Sequence, residues 1–285
     1  MHFGLAPSGM GMLGDARALA EIAREAEEFG WDGFFLEDYV LHQTPLEGVI
    51  YDPWITLTAI AMRTERIRFG AMVTPLARRR PWKVAREAVT LDHLSGGRLI
   101  LGVGLGDENA SDFADVGEVT DAKERARMLD ESIEILVGLW SGKPFSFNGE
   151  YYHIDNVTMI PPPLQTPRIP IWVGGFWPSK GPMRRAARLD GICPGKRNED
   201  GTLDMMSVED VRAMKKYIDE HRTSTAPFDI VQGGTTPGDN PEAARSQLRP
   251  FVEAGVTWWI EFIGPEHGAL DALRTRIRQG PPRLE

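Results

Sequence analysis

Groups that can move protons follow a short apolar run near the start of the chain. Gly33-Phe34-Phe35-Leu36 is followed at once by Glu37-Asp38, and then by Tyr39 and His42. An apolar run that ends abruptly on a carboxylate predicts that Asp38 faces an open site; a cap on the following loop is the alternative. Histidine has an ordinary pKa of about 6.5, so His42 is the candidate general acid or base. A solvated loop histidine is the other interpretation.

A second group of residues predicts anion binding. Gly174-Gly175 ends an apolar run and precedes a helical segment with Arg184, Arg185 and Arg188, and Lys196 follows the next run. Backbone N–H groups at a glycine turn and at a helix N-terminus can hold a phosphate. The alternative is that the glycines only allow a tight turn and that the arginines are solvated.

Other chemistries find less support in the spacing of the residues. The glycines of 102–106 lack the helical periodicity that must follow a dinucleotide fingerprint, so we interpret them as room for a planar ligand. The six histidines show no metal-ligand spacing and the G-x-S-x-G elbow is absent, so we predict neither a metal site nor a serine hydrolase. Carboxylates keep a glycosidase open as an alternative. These are Asp38, Asp107, Glu108 and Glu261, the last of which we expect to be paired inside the fold.

The elements that must position these residues alternate between strand and helix along the whole chain. Eight apolar runs, each followed by a segment of helical periodicity, predict one (β/α)8 TIM barrel over residues 1–285. The predicted strands are His2–Ala6, Gly33–Leu36, Arg68–Val73, Leu99–Val103, Ile169–Val173, Gly191–Cys193, Phe228–Val231 and Thr257–Ile263. Residues 141–168, with a hairpin signal at Asn148-Gly149, are predicted as an insertion between the fourth helix and the fifth strand. In such a barrel the site lies at the C-terminal ends of the strands.

Composition restricts the partners. The formal charge is −9 and the densest basic run, Arg78-Arg79-Arg80, suits a small anion at most, so nucleic acid is not expected. The single cysteine, Cys193, cannot form an internal disulfide, and no apolar run approaches the ~20 residues that cross a bilayer. The N-terminal residues lack the pattern of a signal peptide. We therefore expect a soluble cytoplasmic protein without membrane contact.

One long segment resembles a known family. Residues 90–104, which read TLDHLSGGRLILGVG, are similar to the hallmark of the bacterial luciferase-like family of flavin-dependent oxidoreductases and monooxygenases. Further matches are Gly30-Trp31-Asp32-Gly33, Thr74-Pro75, Arg80-Pro81 and residues 170–175. The resemblance extends over nearly the whole chain and implies a (β/α)8 barrel with an insertion.

The resemblance also implies a cofactor, either FMN or the deazaflavin coenzyme F420. It places the cofactor phosphate at Gly174-Gly175, and a cis peptide behind the ring at Ala71–Met72. Asp190 to Lys196 resembles the deazaflavin branch, in which the lysine meets the phosphate. The predicted cofactor-binding residues are Ala71, Met72, Thr74, Gly104, Asp107, Gly174, Gly175, Phe176 and Lys196.

The expected activity follows from the cofactor. A deazaflavin enzyme transfers a hydride to or from a small organic substrate, whereas an FMN enzyme of this family activates O2 and is fed by a separate reductase. Asp38-Tyr39 and Asp107 depart from the Asp-His and glutamate of the deazaflavin sugar-phosphate dehydrogenases, so Tyr39 or His42 is expected to carry the proton. The resemblance implies a homodimer, and a non-catalytic flavin-binding barrel is the alternative of another class.

Overall fold

The protein is described by a computed structural model that covers residues 1–7, 15–41, 50–106, 111–264, 270–282 and 284. His42 and Asp107 lie outside the described residues. The strands are β1 (His2–Pro7), β2 (Gly33–Leu36), β3 (Arg68–Ala71), β4 (Thr74–Pro75), β5 (Leu101–Gly104), β6 (Phe145–Asn148), β7 (His153–Val157), β8 (Ile171–Trp177), β9 (Gly191–Arg197), β10 (Leu203–Asp204), β11 (Asp229–Gly234) and β12 (Trp258–Ile263). The helices are α1 (Ala16–Glu28), α2 (Pro53–Arg63), α3 (Pro81–Ser95), α4 (Ser111–Ala114), α5 (Ala122–Trp140), α6 (Lys180–Ala186), α7 (Val208–His221), α8 (Pro241–Glu253) and α9 (Leu270–Arg278).

The main sheet is a parallel barrel. Its strand order is β3-β2-β1-β12-β11-β9-β8-β5-β4, and β3 and β4 are two parts of one barrel strand. The Ile100 N–H donates to the Phe69 carbonyl over 2.9 Å, which joins β3 to the residue just before β5 and so closes the barrel. The predicted (β/α)8 architecture is thereby confirmed. The antiparallel pair β6 and β7 lies outside this sheet, between α5 and β8.

The barrel strands bury both of their faces. Residues that face the helices form the larger core, whereas a smaller cluster fills the inside of the barrel around Phe35, Trp172 and Trp258. The ring centroids of Trp172 and Trp258 are 5.3 Å apart, as are those of Phe35 and Trp172. Because this aromatic cluster closes the interior, a ligand must bind at one end of the barrel.

The segment that most resembles the luciferase-like family performs a structural task. The buried Arg98 guanidinium donates to Thr64 Oγ1 and to the carbonyls of Ala61, Thr64 and Ile67, which ties the end of α2 to the strand that follows. Asp92 accepts hydrogen bonds from the backbone N–H and the side chain of Gln165. These residues precede β5 and therefore lie at the end of the barrel opposite the expected site, where side chains serve stability.

Helix starts follow the polar residues that the sequence supplies. The Asp15, Asp52 and Asp121 carboxylates accept hydrogen bonds from the first turns of α1, α2 and α5, and Ser207 with Asp210 forms a capping box on α7. Among the described residues, no helix combines the length and the apolar character needed to span a membrane.

Candidate active site

A row of glycines marks the C-terminal mouth of the barrel. Ile100, Trp172, Cys193 and Val231 point into the barrel. Because side chains alternate between the two faces of a strand, the next inward position on each of these strands is two residues further along the chain. These positions are Gly102 on β5, Gly174 on β8, Gly195 on β9 and Gly233 on β11, and Gly104 is the inward position after Gly102. Glycines therefore stand at the inward positions of four strands, and the side chains of Val73, Phe176 and Phe262 lie beside these glycines. Ala6, Met72 and Cys193, all partly exposed, add small or apolar side chains to the floor of the mouth.

Two of these glycines make room for Val73. A Cβ atom on Gly104 would lie 2.5 Å from Val73 Cγ2, and one on Gly174 would lie 2.8 Å from Val73 Cγ1. Both distances are shorter than van der Waals contact allows. The glycines of β5 and β8 are thus required by a protein side chain, a reason that the prediction of ligand contact did not include.

The cis peptide lies one residue beyond its predicted place. The bond is Met72–Val73 and not Ala71–Met72. The Met72 N–H donates to the Leu36 carbonyl over 2.8 Å, so the ladder between β2 and β3 continues through the Ala71–Met72 bond. The cis bond follows that last hydrogen bond. It places Val73, together with Met72, at the partly exposed floor of the mouth.

Asp38 is buried between two arginines. We expected this carboxylate to face the mouth, but its side chain is 0% exposed. Arg78 Nη2 donates to Asp38 Oδ1 over 2.8 Å and also to the Asp38 carbonyl, and Arg79 Nη2 lies 2.9 Å from both carboxylate oxygens. The basic run predicted to meet a small anion therefore neutralises an internal carboxylate. A proton acceptor so engaged is poorly placed to reach a substrate.

A second carboxylate extends this network to the loop after β2. Arg78 Nη1 donates to Asp112, which is the second residue of the short helix α4 and has a side chain that is 1% exposed. Asp112 also accepts hydrogen bonds from the backbone N–H of Val40 at 3.1 Å and from that of Leu41 at 2.5 Å. Neither Asp112 nor Arg78 was predicted as a site residue. Tyr39, a predicted catalytic residue, is partly exposed and directly precedes the two anchored amides.

The charged groups predicted to bind phosphate are paired with carboxylates of the protein. Arg185 donates to both oxygens of Asp130, at 2.7 and 2.8 Å, and Arg188 reaches the same carboxylate. Lys196 Nζ donates to Asp210 over 2.7 Å, and this hydrogen bond raises the pKa of Lys196. The prediction that the arginines after Gly174-Gly175 gather around an anion is wrong for Arg185 and Arg188, because α5 supplies their partner.

Three further predicted cofactor residues occupy different surroundings. Gly175 packs against Pro182, since a Cβ atom there would lie 2.3 Å from Pro182 Cβ. Thr74 is fully buried and pairs in register with Val103, whose side chain belongs to the helix-facing core. Its hydroxyl has no hydrogen-bond partner among the described residues. Phe176 is partly exposed at the rim, where the Arg197 guanidinium carbon lies 4.7 Å from its ring centroid.

The free thiol at the floor is chemically quiet. Burial raises the pKa of Cys193, and the nearby charge of Asp229 raises it further. Cys193 therefore stays a neutral thiol near physiological pH and acts as a small apolar surface. Its inward position follows from the alternation that places Trp172 and Val231 inside the barrel, a signal the sequence offered for Cys193. The same alternation gives no such signal for Val73, because Phe69 and Ala71 face the helices.

Glu261 is paired internally, as predicted. It accepts a hydrogen bond from the Thr236 N–H at 2.7 Å and from Trp259 Nε1 at 3.2 Å, and Arg276 neutralises it from α9. Its side chain is 0% exposed. With Asp38 and Glu261 both engaged, the glycosidase alternative loses two of the carboxylates that suggested it.

Comparison with known proteins places this chain in a family. The profile of the family described as luciferase-like monooxygenase matches residues 2–283. An F420-dependent glucose-6-phosphate dehydrogenase of Amycolatopsis mediterranei is 29% identical, over 88% of this chain and 89% of that protein. An uncharacterised protein of Mycobacterium tuberculosis is 37% identical, over 80% of this chain and 74% of its own length. The chain belongs to the luciferase-like monooxygenase family of oxidoreductases, as its sequence predicted.

Solved structures show the same fold at low sequence identity. An F420-dependent secondary alcohol dehydrogenase in complex with an F420-acetone adduct superimposes with a TM-score of 0.79 at 17% identity, covering 100% of this chain and 99% of that one. The FMN-bound oxygenating constituent of 3,6-diketocamphane monooxygenase from Pseudomonas putida gives a TM-score of 0.75 at 16% identity, with 98% and 96% covered. The barrel is therefore shared with proteins that use either cofactor.

Proposed function

We propose that this chain is an oxidoreductase that transfers a hydride between the deazaflavin coenzyme F420 and a small organic substrate at the barrel mouth. The observation that carries the proposal is the apolar floor above the aromatic core, where Ala6, Met72, Val73 and Cys193 are partly exposed. Such a floor offers an apolar surface to a flat heteroaromatic ring. The choice of F420 over FMN draws on the name of the Amycolatopsis relative, which aligns over most of its length.

The residues at the mouth fit such a ring. Met72 and Val73 would support its back, Gly104 and Gly174 make room for the Val73 side chain, and Phe176 borders the rim. The neutral Cys193 thiol offers an apolar contact without competing nucleophilic chemistry. When bound, F420 would supply a ring carbon that accepts or delivers a hydride. We retain Gly174, Gly175, Ala71, Thr74, Asp107 and Lys196 as proposed cofactor residues.

We retain Lys196 as a proposed cofactor residue although its ammonium group is already paired with Asp210. The Lys196 side chain is 29% exposed and that of Asp210 is 18% exposed, and Lys196 lies at the end of β9 in register with Trp177 of β8. Asp210 also accepts a hydrogen bond from the Ser207 N–H, so an incoming phosphate would have to compete with Asp210 for Lys196. The role of Lys196 thus depends on competition between two anions.

Proton transfer at the substrate is proposed for Tyr39 or His42. Asp38 precedes both residues in the sequence, and its carboxylate is held by Arg78 and Arg79. We therefore assign Asp38 to positioning the two arginines and the backbone of its own loop. A phenol can donate or accept a proton through its oxygen, and an imidazole titrates near neutral pH. Both residues follow β2 in the sequence.

Turnover assays distinguish the proposed activity from the FMN alternative. In the absence of oxygen, the purified chain is mixed with oxidised F420 and a panel of secondary alcohols and sugar phosphates. In a second set of reactions it is mixed with reduced F420 and reducible organic acceptors. We expect a change in the coenzyme absorbance with at least one class of compound. With reduced FMN and air we expect no oxygenated product, and oxygen consumption no faster than the spontaneous oxidation of reduced FMN without the protein. Oxygen-dependent product formation with reduced FMN, together with silence in every F420 reaction, would overturn the proposal in favour of a monooxygenase fed by a separate reductase.

A further inference from the structure

The loop that carries Tyr39 gains little from packing. Val40 is 53% exposed and Leu41 is 39% exposed, so their side chains do not dock into the core. A surface loop without apolar contacts opens easily unless its backbone is held by other means. The described structure provides those means through hydrogen bonds from the Val40 and Leu41 amides to Asp112.

Asp112 itself is firmly held. It is 1% exposed and pairs with Arg78, whose other Nη atom reaches Asp38 at the end of β2. The neighbouring Phe113 is 2% exposed and lies beneath two guanidinium groups, with the guanidinium carbon of Arg78 5.7 Å from its ring centroid and that of Arg125 4.3 Å away. The carboxylate therefore presents a fixed acceptor to the loop.

The charges of this network balance. Two carboxylates, Asp38 and Asp112, alternate with two guanidinium groups, Arg78 and Arg79, in one chain of ion pairs. Hydrogen bonds to a charged group are stronger than those between neutral groups, so the two amide contacts to Asp112 are effective restraints. Arg78 bridges both acids because the guanidinium group presents several donors in a rigid plane, which a lysine does not.

We propose that Asp112 is a positioning residue for the reaction: acting with Arg78, it fixes the backbone of residues 40–41 and so sets the position of the adjacent Tyr39. The inference rests on the proposed function for its catalytic consequence. Its structural half, the anchoring of the two amides, stands on the hydrogen bonds alone. Asp112 touches the loop backbone and Arg78, and its effect on the reaction is exerted through them.

Hydrogen–deuterium exchange of the chain without coenzyme tests the anchoring. In Asp112→Ala we expect the Val40 and Leu41 amides to exchange about tenfold faster or more, since each loses a hydrogen bond to a charged acceptor. Asp112→Asn keeps an acceptor oxygen but loses the charge, so its exchange rates at these amides are expected to lie between those of Asp112→Ala and the wild type. This variant replaces Asp112→Ala in the test if the alanine variant folds poorly. Asp130→Ala is the matched control, because Asp130 is also paired with an arginine but lies on α5. Unchanged exchange at residues 40–41 in Asp112→Ala would overturn the inference.

Coenzyme binding and turnover test the catalytic half. For Asp112→Ala we expect kcat to fall about tenfold or more while the F420 Kd stays within about twofold of the wild type, since displaced reacting groups cost rate rather than affinity. Asp130→Ala should retain kcat. Faster exchange with an unchanged kcat would overturn the positioning role. If the wild-type chain binds no F420, the proposed function fails, and the exchange result still decides whether Asp112 anchors the loop.

Discussion

Replacement of Asp38 by alanine is expected to lower the free energy of unfolding by about 3 to 5 kcal/mol, the usual cost of leaving a buried charge without its partner. Arg78 is 4% exposed in its side chain and Arg79 is 20% exposed, so water cannot replace the lost carboxylate around Arg78. The carbonyl of residue 38 would still accept from Arg78, but the charge of Asp112 would be the only one left to balance both guanidinium groups within the described network. Urea denaturation followed by circular dichroism measures the change.

A double variant shows whether the loss comes from unpaired charge. In Asp38→Ala/Arg79→Ala one positive charge is removed together with the negative one, so we expect a destabilisation smaller than the sum of the two single variants. Asp130→Ala provides the comparison with an ion pair whose acid is 45% exposed, where a smaller loss than for Asp38→Ala is expected. An Asp38→Ala protein that is as stable as Asp130→Ala would contradict the description of Asp38 as a buried, charge-balancing group.

Replacement of Gly102 by alanine is expected to destabilise the barrel by about 3 kcal/mol, at the upper end of the usual cost of overpacking. The added Cβ atom would lie 2.2 Å from the Ala71 carbonyl oxygen and 3.4 Å from Val73 Cγ1. The oxygen belongs to the backbone of β3, which cannot move aside as a flexible side chain can. Relief of the clash must therefore shift the segment that carries Met72 and Val73, and with it the floor of the mouth.

Gly181→Ala is the matched control for that substitution. It adds the same methyl group in the first turn of α6, where no heavy atom lies within 4 Å of the new Cβ position. We expect little change in stability, because the reduced freedom of the unfolded chain is offset by the conflict between a helical Cβ-bearing residue and the proline that follows it, Pro182. Thermal unfolding of both variants beside the wild type gives the comparison. A Gly102→Ala protein with the same unfolding temperature as the wild type would show that β3 and β5 are not packed as described.

The barrel could be predicted because its strands are continuous apolar runs. Phe34, Phe35 and Leu36 are buried on both faces of β2, and Ile171, Trp172 and Val173 are buried on β8, so the sequence lacks the alternation of a half-exposed strand. The turn and capping residues agree with the same elements. The residues at the mouth were also identifiable, since strand ends follow directly from strand positions.

The partners of the charged side chains could not be predicted in the same way. Asp38 meets Arg78 and Arg79 because β2 and the turn after β4 end at the same edge of the barrel, a contact across about 40 residues that only the fold creates. Arg185 is drawn to Asp130 on a neighbouring helix instead of to the glycine turn beside it in sequence. The cis bond was misplaced by one residue, because the last ladder hydrogen bond of β3 falls on Met72 and no residue type marks that point.

Fluorescence titration of the purified chain with F420 and, separately, with FMN tests whether the barrel mouth binds a coenzyme. We expect saturable quenching of F420 emission, weaker binding of FMN, and loss of F420 binding in Gly174→Leu, whose side chain would displace Val73 at the floor of the mouth. Gly181→Leu, in the open first turn of α6, should bind as the wild type does. A folded wild-type chain that binds neither cofactor would contradict the proposed function.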